Sequence, residues 1–430
     1  MLYALVILLS ILLICFVRKR LRPLSPASVF TLFWTGQILF MVILFSGFLY
    51  FKYIGILYIL LCLYCFDLGF CAKLPNGLNE EREVTVNYND DKAKHIYFFV
   101  LCLSFISFFY DIYNHGFGLQ NLFDLNSFME MSNEQSVERY SGDDEGGILA
   151  KVLGINTYAC AILGGMSYYM FSGRKRLLSY LSLFPLVFGG LAAGAKMGII
   201  TGTFLWLIGL LIISQLNGER LQLNYKKVLF IILGVVIFIA LLIIVMMFRI
   251  GAFDLDTMYV VFGKTTSYAL GHLPAFDLWF SSHEDILSEL TGGCKTFFGV
   301  TNTLGLLKRE SGIFGDLVEV SVDGDHTNVF TIFRFFVEDF GKIGTLIYLF
   351  IMGIVCRIIY NHFTNKRFVY LSTTLMCGIY FFISWSFVSS IFAYATYIGL
   401  MFYLYFLLKF FFRIERNSCP QSLDVFLSSN

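Results

Sequence analysis

An all-α polytopic membrane protein of about 11 transmembrane helices is the fold class the sequence predicts, and three observations predict it. Of 430 residues, 57% are hydrophobic and only 14% charged, against about 25% charged in ordinary soluble domains. Apolar runs of about 16 to 24 residues recur from Leu2 to Phe412 and fill half the chain, each near the length that crosses a hydrocarbon core of about 30 Å. There are only six prolines and no polar stretch long enough to fold alone, which excludes a soluble catalytic domain carried on an anchor. The chain reads as one integral membrane domain, 1–430.

In order, the spans fall near 2–17, 25–47, 53–72, 96–113, 149–171, 177–194, 197–215, 228–248, 342–360, 368–386 and 389–412. The first run is short, but its positive charges follow the apolar stretch instead of preceding it, so it reads as a membrane helix and not a cleaved signal. With the N-terminus outside and the C-terminus inside, 19 of the 31 basic residues lie in cytoplasmic segments, among them Arg18, Lys19, Arg20, Arg22, Arg357 and Arg367. That asymmetry sets the expected orientation. Two external loops break the rhythm of short connections. Residues 114–148 form an acidic loop, flexible at Ser141-Gly-Asp-Asp-Glu-Gly-Gly147 and carrying the external cation Arg139. Residues 249–327 form a large loop between spans 8 and 9, rich in aromatics such as Trp279, Phe280, Phe297 and Phe298. Loops of this length are usually functional or disordered, and the aromatic content favours interfacial helices resting on the membrane.

A net charge of +1 supplies no cationic field for a phosphate backbone, so nucleic acid is excluded as a default partner. Most of the ten cysteines lie in apolar runs, where a thiol packs as a small hydrophobe, and no disulfide framework is implied. Cys62-Leu-Tyr-Cys65 has redox-motif spacing but sits in mid-span.

Chemistry is expected where ionisable groups meet the membrane edge, because a charge in lipid needs a partner or a wet cavity. Lys196 lies in Gly189-Gly-Leu-Ala-Ala-Gly-Ala-Lys-Met-Gly198, between two spans at the outer face; it reads either as an anion ligand or as a lysine snorkelling to headgroups. Arg249 ends a long apolar run and opens the large loop. Asp325-His326-Thr-Asn328-Val-Phe-Thr-Ile-Phe-Arg334 leads through Glu338, Asp339 and Gly341 into the ninth span. A helix or re-entrant segment there would bring His326 and Arg334 to the membrane boundary. Histidine can accept a proton near neutrality and arginine can fork phosphate oxygens; the plainer readings are a loop histidine and a local Arg334–Glu338 pair. The large loop holds five basic against eleven acidic residues between 249 and 326, so an anion must be held by single cations, not by a broad field. Asp254-Leu-Asp256 and Asp323-Gly-Asp325 have metal-pair spacing, with solvated loop acids the commoner explanation. No metal or cofactor is expected. Gly271-His272-Leu-Pro-Ala-Phe-Asp277 and Gly292-Gly-Cys-Lys-Thr-Phe-Phe298 mix turn formers with aromatics, a composition that suits sugar rings as well as an interfacial helix.

At these residues the chain resembles the O-antigen polymerases, or oligosaccharide repeat-unit polymerases. The resemblance is carried by Ser25-Pro26 with Phe30 and Trp34, by Gly194-Ala-Lys196 where family members often carry small-small-Arg, by Gly292 to Phe297, and by Thr327-Asn328-Val-Phe-Thr331 running into Asp339-Phe-Gly341 and Gly344. It implies a multi-pass protein of the bacterial inner membrane whose large external loop covers a lateral, lipid-accessible cavity. It also implies a glycosyltransferase of lipopolysaccharide or capsule-type polysaccharide biosynthesis. A growing glycan passes from its undecaprenyl-type polyprenyl diphosphate to a lipid-linked repeat unit, with inversion. In that scheme His326 is the base, Arg249 and Arg334 steady the leaving diphosphate, and Lys196, Asp277, His272, Asn328 and Arg139 bind substrate. A chain-length regulator is a further partner the resemblance allows. A flippase or other transporter, and an O-antigen ligase, are the alternatives; the flippase would place several charges within central spans.

Overall fold

The structure, a computed structural model, describes residues 1–73, 84–141, 147–218, 225–250, 254–255, 257–258, 261, 270–283, 290–306 and 314–416; of residues 90, 139–141, 225–232 and 416 it describes the backbone alone. Helices dominate: α1 Leu2–Arg20, α2 Pro26–Phe45, α3 Ile54–Phe70, α4 Asp90–Asn114, α5 Leu125–Ser141, α6 Ile148–Ser167, α7 Leu177–Tyr180, α8 Phe184–Ala192, α9 Lys196–Leu216, α10 Tyr225–Ile250, α11 His272–Ser282, α12 Phe298–Thr303, α13 Ile332–Thr364, α14 Val369–Trp385 and α15 Ala395–Phe411. Among the described residues seven helices (α1, α2, α4, α6, α9, α10 and α13) are long and apolar enough to cross a membrane. Three more, α3, α14 and α15, are apolar but have 17 residues each, about 25 Å and near the lower limit for a span.

Two expectations change here. Residues 177–194 are not one regular α-helix: α7 passes through a 3₁₀ turn at Leu181–Leu183 into the nine-residue α8, the backbone staying in the right-handed helical region at both junctions. Residues 114–148 are not simply a loop, because α5 occupies Leu125–Ser141. Phe128, Met131, Ser132, Gln135 and Ser136 are buried along it at helical spacing. Asp124 starts it, accepting hydrogen bonds from the Ser127 amide at 2.8 Å and hydroxyl at 2.7 Å, the N-cap arrangement that satisfies donors the first turn leaves open.

Close helix packing follows from missing side chains. A Cβ on Gly69 would meet the Phe350 carbonyl, and one on Gly353 would meet the Phe66 carbonyl, so α3 and α13 approach backbone to backbone, as small residues permit in membrane bundles. Ser25 caps α2 through the Ser28 amide at 3.3 Å, and Trp34 donates to Ser386 Oγ at 3.0 Å.

Connections sort to two ends. At one, the Tyr50 amide donates to Val320 and the Val322 amide to Phe48, while Asp277 reaches the start of α3. At the other, strands β1 Val84–Tyr88 and β4 Phe412–Arg416 pair antiparallel, Val84 opposite Arg416. Residues 48–52, 318–322 and Asp277 thus share an end. A small hairpin, β2 Val318–Glu319 with β3 His326–Thr327, belongs to the first.

α13 is two helices in one. Gly341 sits at φ 72°, ψ 175°, a region open essentially to glycine alone. Tyr348 lies 5.0 Å from Phe336 and 4.8 Å from Phe340 between ring centroids, whereas a straight helix would separate positions 336 and 348 by about 18 Å. Residues 332–340 therefore fold back along 342–348 as a buried re-entrant hairpin.

Candidate functional site

The structure divides the candidate residues into two groups. The first forms where α9 begins and α10 ends. Lys196 is the first residue of the 21-residue helix α9, and Ala195 before it offers no side-chain cap. Arg249 is near enough to act electrostatically on Lys196, and the turn between α8 and α9 brings them together: a Cβ on Gly194 would lie 3.4 Å from Arg249 Cβ and 3.1 Å from the Ser132 carbonyl. Gly194 has φ 56°, so that turn needs glycine twice over, for space and for backbone. α5 braces the junction from above. Ser132 Oγ donates to the Leu191 carbonyl at 3.0 Å, and Asn133 Nδ2 to the Arg249 carbonyl at 2.9 Å.

Two basic residues near one helix N-terminus are groups that suit an anion, by charge and by dipole. Beside them lies a cavity of about 570 Å³ with a wholly apolar lining that includes Phe108, Phe128, Phe184, Phe188, Leu191 and Phe248. Phe184 and Phe188 stack there at 4.0 Å. An anionic head with an apolar chain would find both halves of its chemistry met.

The second group surrounds the hairpin within α13, and here the expected residues have partners within the fold. Arg334, 5% exposed, was expected to fork phosphate. Its Nε instead donates to Glu338 at 2.9 Å and its Nη2 to Asp316 at 2.6 Å, and Phe314, Phe330 and Trp279 lie 3.9, 4.1 and 4.8 Å from its guanidinium carbon. Glu338 also takes Lys295 Nζ at 2.9 Å. Asp339 receives the amides of Lys295 at 2.9 Å and Thr296 at 2.7 Å, and the Thr291 hydroxyl. These contacts staple residues 291–296 and 314–330 onto the hairpin. Arg334 is thus held by carboxylates and aromatic faces, with only Nη1 without a partner.

Asp277, expected to bind sugar, is fully buried and accepts from the backbone amides of Lys52 and Tyr53 at 2.6 Å and Gly55 at 2.7 Å. It caps α3 from another element, and its burial pushes the carboxyl up from the usual range. His272, also expected at the sugar, is buried against Trp34 and Phe387, with Nε2 at 2.8 Å from Gln37 Oε1. His326 and Asn328 are exposed. His326 Nδ1 lies 2.8 Å from the Gly324 carbonyl, and Asp325 turns away to Ser321 Oγ at 2.9 Å. Among the described residues no hydrogen bond, ion pair or ring contact joins His326 to Arg334 or Arg249. The Arg139 side chain lies outside the described residues. Asp254 and Asp325 serve local turns, at Thr257 and Ser321, and Asp256 also lies outside the described residues.

Sequence reading missed Ser132 and Asn133, whose signal was the apolar period of α5, and Asp67, a lone acid inside the third apolar run.

Fold and site together define a helical membrane protein with two basic residues near the start of one long helix, next to an apolar cavity. Comparison with family models, with curated proteins and with solved structures yields no match, so the particular activity is argued from the site.

Proposed function

We propose that this chain polymerises polyprenyl-diphosphate-linked oligosaccharide repeat units at the outer face of a bacterial cytoplasmic membrane. The single observation that carries the reading is the convergence of Lys196, Arg249 and the uncapped start of α9 beside an apolar cavity. In the proposed reaction the glycosyl carbon–oxygen bond breaks with its electron pair leaving on the polyprenyl diphosphate, a sugar hydroxyl oxygen of the incoming unit bonds to that carbon, and the hydroxyl proton passes to the departing diphosphate or to water. Charge grows on a leaving group already anionic, so two fixed cations stabilise the transition state more than the ground state. His326, exposed on its hairpin, is not part of this proposal.

The test is reconstitution of purified protein in liposomes with lipid-linked repeat units. A ladder of lengthening glycans is expected; transfer of a single glycan to a different acceptor would instead indicate a ligase. One observation favours a second reading, a transporter of lipid-linked oligosaccharide. Asp67 is fully buried in α3, its carboxylate oxygens 3.0 and 2.9 Å from Thr31 Oγ1, and intramembrane acids commonly mark transport paths. Movement of lipid-linked units between leaflets without a ladder would select it.

A further inference from the structure

At the end of the bundle opposite Asp277, three arginines from three segments gather around the close of α3. Arg20, in the last turn of α1, and Arg357 of α13 both act electrostatically on Cys71. Arg22, from the turn between α1 and α2, and Arg357 both act on Tyr360. The Arg357 guanidinium carbon stands 5.3 Å from the centre of the Phe70 ring, and the Phe70 and Tyr360 rings are 5.8 Å apart. Arg20 and Arg22 are exposed and Arg357 is partly buried. Among the described residues no carboxylate forms an ion pair with any of the three. Asp67, one turn before Cys71, is fully buried with its oxygens on Thr31. An apolar strip leads up to the arginines: Leu61, Tyr64 and Leu68 are exposed along α3, as is Cys71 just past its last turn. Their spacing sets them on one helix face, about 15 Å long. Phe16 of α1 meets the Tyr64 ring at 6.1 Å, and α13 packs on α3 through Gly69 and Gly353.

We propose that Arg20, Arg22 and Arg357 form a headgroup site for an anionic phospholipid of the leaflet at that end, with an acyl chain lying along Leu68, Tyr64 and Leu61. The inference is independent of the functional reading above. Basic residues that only orient a chain during insertion need no convergence. These three lie far apart in sequence, yet they meet beside one pair of aromatic rings and no acid neutralises them. Arginine's planar fork donates paired bonds to phosphate oxygens, and basic pockets between membrane helices bind anionic headgroups in this way. The cation–π contact with Phe70 holds Arg357 in place before a ligand arrives, which reduces the ordering cost of binding. A free phosphate would engage the arginines but leave the apolar strip unused, so a lipid is the ligand that fits the whole surface.

The experiment measures lipid binding to the purified full-length protein in detergent by native mass spectrometry, with phosphatidylglycerol and phosphatidylcholine of matched acyl chains as probes. Wild type should prefer phosphatidylglycerol by about tenfold. Arg20→Gln with Arg357→Gln should erase that preference, and Arg22→Gln, at an exposed turn position, should reduce it. Arg174→Gln with Lys175→Gln removes two exposed basic residues from the turn after α6 and should leave the preference intact. Inorganic phosphate in large excess should not displace the lipid. Equal binding of the two lipids by wild type overturns the site, and that comparison needs no variant to fold. A preference kept by the Arg20/Arg357 variant, or lost equally in the Arg174/Lys175 variant, overturns it too, the second by showing general surface charge at work. Displacement by phosphate overturns the lipid assignment in favour of a free anion.

Discussion

Arg249 and Lys196 have no neighbours in sequence that explain them, yet the fold sets their charges together at one helix start. At that site charge matters more than fork geometry, so Lys196→Arg should retain polymer synthesis while Lys196→Ala abolishes it, both variants inserting at normal abundance. Gly194→Ala should lower activity at least tenfold, because the new methyl group strains a left-handed turn and presses on Ser132 and Arg249. Arg334 belongs to a different set. Removing it leaves Glu338 with Lys295 alone and returns Asp316, 62% exposed, to water, so Arg334→Ala should destabilise by about 1–3 kcal/mol, mostly through the lost bond to Glu338 and the emptied aromatic contacts. Thermal unfolding in detergent checks this, and lipid-diphosphate affinity of the folded fraction should be unchanged. His326→Gln should keep near wild-type turnover, since its ring faces solvent and a glycine carbonyl. The residue types singled out Lys196, Arg249 and Arg334 alike. Which of them pairs with Glu338 depends on contacts between segments far apart in the chain, and those leave no local pattern.

Among the elements, the polar helix α5 does most to shape the Lys196–Arg249 site, and the hairpin within α13 does most to hold the other candidate residues. A helix or re-entrant segment before the ninth span was expected from the sequence; a hinge at Gly341 was not, because a lone glycine in an apolar run resembles any other membrane glycine until its φ is known. Gly341→Ala should lower thermal stability by about 1–3 kcal/mol, read as a fall in melting temperature, with the Phe336 and Phe340 stacks on Tyr348 loosened. α5 was hidden for another reason: its mean polarity resembles a loop, and only the period of Phe128, Met131, Ser132 and Gln135 betrays a buried face. The run 177–194 shows the converse, since hydropathy registers apolar composition but not the 3₁₀ turn between α7 and α8.

On the scale of the whole molecule, apolar run length made the helical membrane fold legible almost throughout, because one solvent rule governs every span. The basic residues add an orientation, proposed with the N-terminus outside. An impermeant thiol label should mark cysteines introduced at positions 119–123 and 320–324 on intact cells and those at 174–176 only after lysis; the reverse pattern would sink the orientation. The central claim is that Lys196 and Arg249 together hold a lipid diphosphate beside an apolar cavity. The most direct measurement is the affinity of polyprenyl diphosphate for wild type and for Lys196→Ala, Arg249→Ala and the double variant in nanodiscs. A loss of about tenfold or more in each single variant is expected, with a further loss in the double and all proteins equally stable. Affinity unchanged in the double variant would contradict the account.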